Sequence, residues 1–385
     1  MDRMPDTAME VSGAARAAVP EAGVPSMPTV ARFEISFTQY LDRHGAAVRP
    51  LPEFARDPQA LVPSYRAMTL LRAFDAKAIA LQRTGRIGTY ASSLGKEAID
   101  AGIGAVLARD DVLFPSYRES GVLLARGVSL HRTLLYWGGD ERGNVFPESP
   151  RDFPFCVPVA LQLPHAVGAA YAMKLRREPR VALALCGDGA TSKGDFYEAL
   201  NAAGAWHLPL VVVIVNNQYA ISLPRSAQSA AQTLAQKGIA AGMACEQCDG
   251  NDLIAVRAVA GRALERARAG GGPSLVEALT YRLSDHTTAD DASRYRSAEE
   301  LAQHWRHEPL ARLRAYLVAQ GAWSAEKERA LARQCAETVA AAVQAYLATP
   351  APAAEQMFDH LYERLPAPLE EQRAEAAGHG GAHAG

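Results

Sequence analysis

The period of apolar and polar positions changes along the chain in a way that lays out alternating strands and helices. Val181 to Cys186 is an unbroken apolar run that ends in Gly187-Asp188-Gly189; an amphipathic stretch follows, and a second apolar run, Leu210 to Val215, ends in Asn216-Asn217. Short continuous apolar runs bounded by turn residues predict buried strands, and the amphipathic stretch between them predicts a helix. Upstream, Asp57-Pro58 predicts a helix start, and Leu61, Met68, Leu71, Phe74, Ala78 and Leu81 recur at helical spacing until Gly85. A second helix is expected after Gly95, a short strand at Val112 to Phe114, and a helix from about Leu163 to Leu175 whose small-residue face suits close packing. Downstream come a strand around Cys245, a helix from about Asn251 to Ala269, a strand from Ser274 to Arg282, and helical stretches at about 297–318, 324–348 and 354–364. This alternation predicts an α/β fold, a mostly parallel sheet with helices on both faces, in one large domain over residues 31–369. Residues 1–30 and 370–385 are rich in small residues without a period, and they read as a disordered arm and a disordered tail.

Two parallel strands joined by a helix place their C-terminal ends on one edge of the sheet, where open α/β sheets bind ligands. Asp188 and Asn217 are therefore expected to converge. A carboxylate and an amide offer hard oxygens, Gly187 and Gly189 let the backbone approach a ligand, and the N-terminus of the following helix favours negative charge. Mg²⁺ takes few oxygens from protein and fills its octahedron with water and substrate phosphates, so the pattern predicts a metal-diphosphate clamp. Tyr117-Arg118 falls where a strand ends and a helix begins, and a guanidinium there can fork onto a phosphate.

Directly after the last strand, residues 283–296 read LSDHTTADDASRYR. His286 can move protons near neutral pH, and the arginines can orient an anionic substrate or order the loop through Asp290 and Asp291. Residues 138–155 form a second polar, turn-rich stretch, long enough to be a functional loop. Cys245 and Cys248, three apart on a strand, point to opposite faces and read as structural.

Composition narrows the function classes. Hydrophobic residues make up 49% and charged residues 21%, as in ordinary globular proteins, and a net charge of −2 gives no reason to expect nucleic acid or an anionic membrane. No apolar stretch is long enough to span a bilayer, and the N-terminus lacks a basic region followed by an apolar block, so no membrane span or secretory signal is expected. Five cysteines do not suggest a disulfide framework, and the cytoplasm is the expected compartment.

Gly187-Asp188-Gly189, followed after twenty-six intervening residues by Asn216-Asn217, resembles the thiamine diphosphate motif of 2-oxo acid decarboxylases and transketolase-like enzymes. Its flanks, GDFYEALN and NNQYAIS, and the loop HTTADDASRYR are similar to the alpha subunit of the decarboxylating first component of 2-oxo acid dehydrogenase complexes. The resemblance covers roughly residues 32–366. It implies a thiamine-diphosphate-binding fold in which Asp188, the Asn217 side chain and the Tyr219 carbonyl hold Mg²⁺. Tyr117 and Arg118 then meet the cofactor's diphosphate beside Gly187, Gly189 and Ala190. In the same resemblance His286 lies near the reactive carbon of the cofactor, Arg282 and Tyr295 order the loop and complete the candidate catalytic set, and Arg296 is structural.

The implied reaction is oxidative decarboxylation of a small-molecule 2-oxo acid, pyruvate or a branched-chain one with pyruvate slightly favoured, and reductive acylation of the lipoyl group of an acyltransferase partner. A glutamate needed to activate the cofactor belongs, in split enzymes, to a separate beta subunit, so an α₂β₂ assembly is implied. Acetoin cleavage and a silent cofactor-binding homologue are the alternatives. A monovalent-cation site of branched-chain members keeps Gln162 here but has Cys156 and Leu161 in place of hydroxyl residues. Mitochondrial relatives are phosphorylated in the loop region, where Thr287 and Thr288 sit.

Overall fold

Both apolar runs become buried strands of one parallel sheet. The structure, a computed structural model, describes residues 29–359 and 362–379; its contacts separate Met1–Glu34 from Ile35–Gly385, and the elements below belong to the second unit. In chain order the strands are β1 (Ser36–Thr38), β2 (Val112–Phe114), β3 (Ala182–Gly187), β4 (Leu210–Asn216), β5 (Tyr219–Ala220), β6 (Leu223–Pro224), β7 (Ala244–Asp249) and β8 (Ser274–Leu279). Six of them form the sheet β1-β7-β8-β4-β3-β2, parallel throughout, while β5 and β6 make a small antiparallel pair. The edge strand β1 is too short and too exposed to leave an apolar run in the sequence.

Along β3 and β4 successive side chains enter opposite cores. Leu183, Leu185, Val211 and Val213 join one cluster with Ala255, Val259 and Leu264, and Ala184, Cys186, Val212 and Ile214 join another with Leu163, Ala166, Phe196 and Leu200. A sheet covered on both faces has no polar face, which is why these strands read as continuous apolar runs. The first cluster lies under α8 (Leu253–Arg268) and α2 (Glu97–Gly104), the second under α5 (Gln162–Leu175) and α6 (Gly194–Ala205). On β7, Cys248 is in the first cluster and Cys245 packs on the second, so the pair faces apart and both thiols are free.

Long helices wrap this centre. The Asp57 carboxylate accepts from the backbone of Gln59 and caps a turn that leads into α1 (Val62–Arg83). After β2 come α3 (Ser120–Ala125) and α4 (Leu130–Trp137), and the short α7 (Arg225–Gln228) follows the β5–β6 pair. The stretch expected as one helix over 297–318 is divided into α9 (Ala298–Trp305) and α10 (Pro309–Ala319). Pro309 cannot continue a preceding helix but suits a first turn, which Glu308 caps from outside. The next stretch is α11 (Ala325–Ala348), whereas 354–364 yields only a tight turn at Ala354–Phe358, with residues 360 and 361 outside the described ones.

Part of the expected C-terminal tail is helical, as α12 (Ala367–His379). The expected arm falls almost wholly outside the described residues, as does the end of the tail. The stretch 138–155 is a packed connection: Phe146 and Phe155 are buried, Phe155 stacks on Tyr136 with centroids 4.5 Å apart, and its residues lie outside the cavity described below.

Close packing of α6 makes one residue type obligatory. A Cβ on Gly204 would lie 1.7 Å from the carbonyl oxygen of Ala241. Gly204→Ala is expected to cost about 3 kcal/mol or more in a denaturant titration, as overpacking against backbone does. Unchanged stability would refute this contact.

Candidate active site

The C-terminal ends of β3 and β4 open into a cavity of about 200 Å³. Register places Gly187 of β3 beside Val215 of β4, so Asp188 and Asn217 leave the sheet on adjacent strands, and both line the cavity. Tyr117, Arg118, Gly189, Ala190, Tyr219 and His286 line it too, so one space collects every residue proposed from sequence to touch the cofactor or metal.

Asp188 is 2% exposed and forms no ion pair with Lys or Arg among the described residues. Its Oδ2 accepts from the amide of Gln228 at 2.9 Å. Burial raises its carboxyl above the ordinary value, and the Gln228 amide, the nearby backbone N–H groups of Asp188 and Asn217 and the charge of Arg282 only partly oppose the effect. Asn217 Oδ1 accepts from the backbone of Tyr219 at 3.3 Å, and between them Gln218 has a φ of 74°. Such a left-handed residue is costly away from glycine, and it turns the chain sharply at the strand end. A Cβ on Gly187 would meet nothing within 4 Å, whereas one on Gly189 would come within 2.7 Å of Ala220. The expected helix N-terminus is displaced: a tight turn over Asp188–Ser192 intervenes, and α6 begins only at Gly194.

Across the cavity, Arg118 is buried. Its Nη1 donates to the Ser92 carbonyl at 2.6 Å and its Nη2 to the His286 carbonyl at 2.7 Å, with Nδ1 of His286 at 3.3 Å. A guanidinium has only donors, so Nδ1 must accept and the imidazole proton sits on Nε2. Burial, reinforced by the positive charges of Arg118 and Arg282, pushes the imidazole pKa down to about 4. His286 is thus neutral at physiological pH.

Arg282 and Tyr295 do not reach the cavity lining. Arg282 donates to the carbonyl of Ile221 at 2.8 Å and to the Tyr295 hydroxyl at 2.7 Å, and the Tyr295 hydroxyl donates to Asp290. Asp290 also accepts from the backbone of His286 at 2.9 Å. Burial acts to raise the Asp290 carboxyl, but these hydrogen bonds outweigh it and hold the group below its ordinary value. Arg296 donates to the Arg282 carbonyl, the structural use expected of it. This chain of contacts fixes the loop that presents His286.

Several contributors left little trace in the sequence reading. Lys96 and Glu119, both buried, line the cavity, and Lys96 donates to the Arg118 carbonyl at 3.1 Å and pairs with Asp100. Glu300 of α9 accepts from the hydroxyls of Tyr219 and Tyr281 at 3.0 and 2.7 Å, bracing the turn after Asn217. Charges at Lys96, Glu97 and Asp100 within the apolar GKEAIDAGIG were the available signal. Gln162 donates to the Leu185 carbonyl at 2.6 Å, its Oε1 is buried without a partner, and Leu161 is exposed.

A parallel sheet whose strand ends gather a buried acid, an amide and glycines opposite an arginine and a neutral histidine is the ligand-binding end of an open α/β fold. The dehydrogenase E1 component family matches residues 65–355, and the chain belongs to that family. It is 38% identical over 338 residues to the pyruvate dehydrogenase E1 component subunit alpha of Acholeplasma laidlawii, covering 87% of this chain and 97% of that protein. It is 40% identical over 325 residues to the 3-methyl-2-oxobutanoate dehydrogenase subunit alpha of Mycobacterium tuberculosis, covering 84% and 87%. The pyruvate dehydrogenase E1 component subunit alpha of Staphylococcus aureus is 37% identical over 347 residues, covering 89% and 93%.

Proposed function

We propose that this chain is the alpha subunit of the E1 component of a 2-oxo acid dehydrogenase and that it binds thiamine diphosphate through Mg²⁺. Asp188 carries the reading: a buried carboxylate with no ion-pair partner among the described residues, lining the same cavity as Arg118. The residues fit the group. Asp188, Asn217 and the Tyr219 carbonyl are hard oxygens suited to Mg²⁺. Gly187 leaves open space for an approaching ligand. Among the described residues no group of three His, Cys, Asp or Glu side chains is placed to hold a metal, so Mg²⁺ here would take most of its ligands from water and phosphate.

When bound, the cofactor supplies the electron sink that decarboxylation of a 2-oxo acid requires. The chain's own residues do the rest of the work on this side. Asp188, Asn217 and Tyr219 bind the metal, and Tyr117 and Arg118 bind the diphosphate. The loop carrying His286 covers the cavity and keeps water from it. His286 offers its Nε2–H as a hydrogen-bond donor to the substrate or to the incoming lipoyl group. A beta subunit in an α₂β₂ assembly completes the site, and a lipoyl-bearing acyltransferase receives the acyl group. No helix among the described residues is long and apolar enough to cross a membrane, and a cytoplasmic location is part of the same proposal.

The test is decarboxylation by this chain co-purified with its beta partner, using pyruvate, 3-methyl-2-oxobutanoate and acetoin with an artificial electron acceptor. Turnover of one 2-oxo acid that needs both Mg²⁺ and thiamine diphosphate is expected, and pyruvate is the first substrate to try. Turnover of acetoin alone, or tight cofactor binding without turnover, would overturn the proposal.

A further inference from the structure

Asp75 lies on the face of α1 that is otherwise apolar, one helical turn from Leu71 and from Ala78, and it is 2% exposed. A charge on a buried helix face is costly unless it is fully hydrogen-bonded. The Tyr90 hydroxyl donates to its Oδ1, and the Ser92 hydroxyl and the Ser93 backbone both donate to its Oδ2 at 2.7 Å. All three donors come from residues 90–93, a segment without regular structure.

That segment carries both halves of the far wall of the cavity. The Ser92 carbonyl accepts from Arg118 Nη1, and the Ser93 hydroxyl donates to the Arg118 carbonyl at 3.2 Å, so side chain and backbone of Arg118 are both tied to it. Tyr90 exchanges two hydrogen bonds with Thr288 of the loop: its backbone N–H donates to the Thr288 hydroxyl and its carbonyl accepts from the Thr288 backbone, each at 3.0 Å. Two residues before Thr288 stands His286, whose carbonyl receives Arg118 Nη2. Asp75 thus supplies the hydrogen bonds by which α1 holds a segment that aims Arg118 and pins the loop, beside the packing of the Tyr90 ring on Phe74 and Trp137.

We propose that Asp75 is a positioning residue: it fixes segment 90–93, and through it sets both the direction of Arg118 and the closed position of the loop at His286. The part of this inference that concerns cofactor affinity rests on the function proposed above, whereas the part that concerns the loop does not.

The experiment uses the full chain with its beta partner and the variants Asp75→Asn, Tyr90→Phe and Arg118→Ala. Thiamine diphosphate affinity is measured in saturating Mg²⁺, and loop exposure is followed by the rate of tryptic cleavage at Arg294 without cofactor. Asp75→Asn removes the charge while keeping the shape. It is expected to weaken cofactor binding about tenfold, the loss of one charge-assisted hydrogen bond, and to speed cleavage at Arg294. In the Arg118→Ala background the same substitution is expected to change affinity no further, because it acts through Arg118. Tyr90→Phe leaves the Ser92 and Ser93 contacts in place and is expected to speed cleavage with a smaller change in affinity; it carries the test if Asp75→Asn does not fold.

A merely structural role predicts a lower melting temperature with unchanged affinity and cleavage rate, or a full additional loss in the Arg118→Ala background. Either result overturns the proposal. Failure of the unmodified protein to bind thiamine diphosphate overturns the functional reading instead, and the cleavage rates still decide the role of Asp75 in the loop.

Discussion

Asp188→Ala is expected to abolish Mg²⁺-dependent binding of thiamine diphosphate, weakening it at least about 100-fold, while the sheet stays folded. The estimate is about 3 kcal/mol, the scale of losing a charged partner in a buried site. Asp188 follows β3 at the rim of the sheet, and its side chain makes one modest hydrogen bond, to Gln228, so little of the fold depends on it. Burial already opposes its charge in the absence of metal. A carboxyl whose pKa is higher in the folded chain than in the unfolded one binds more protons when folded, so its ionisation costs stability as pH rises through the range just above ordinary carboxylate values. Metal-free Asp188→Ala is therefore expected to be at least as stable as the unmodified chain at neutral pH. Calorimetric titration with and without Mg²⁺, together with thermal melts of the metal-free proteins, checks both statements. Undiminished cofactor affinity in the variant would remove the metal clamp.

His286→Ala is expected to lower turnover with the lipoyl-bearing partner about 10²- to 10³-fold, the range for losing one oriented hydrogen-bond donor. Cofactor affinity should change only slightly, because Arg118 retains its bond to Ser92. The pH dependence follows from the depressed pKa. Between 6.5 and about 4 the unfolded chain holds more protons on this imidazole than the folded one, so stability from this group is complete above 6.5 and is lost as pH falls toward 4. The cofactor-free protein should lose that part of its acid sensitivity in His286→Ala. Its activity profile should show no limb near 6.5 that belongs to His286. Stopped assays across pH 4–8 on both proteins check this, and unchanged turnover in the variant would favour a silent cofactor-binding chain.

The sequence carried the sheet and the ligand end of it. The apolar runs at Val181 and Leu210 could be read because strands buried on both faces keep no polar positions, and their polar ends could be read because a parallel crossover leaves both C-termini on one edge. The spacing from Gly187 to Asn217 and the loop at His286 then yielded the side chains that line the cavity. Local chemistry went astray where a neighbour in space overrode it. The turn at Asp188–Ser192 delays the helix, Pro309 divides the stretch after the loop, and Phe146 and Phe155 draw a polar connection into the core.

Tertiary structure alone decided which polar residues hold the site in place. Asp75, Lys96, Glu119 and Glu300 are scattered over more than half the chain, and a charge within an apolar stretch, as at Asp75 and Lys96, does not say what it holds. Arg282 and Tyr295, expected from the resemblance to order the loop and to join the candidate catalytic set, brace the loop from outside the cavity lining. A residue that touches a ligand sits at a strand end or loop that periodicity can locate. A residue that positions another through a buried hydrogen bond is defined by a partner far away in sequence, and only the folded chain brings the two together.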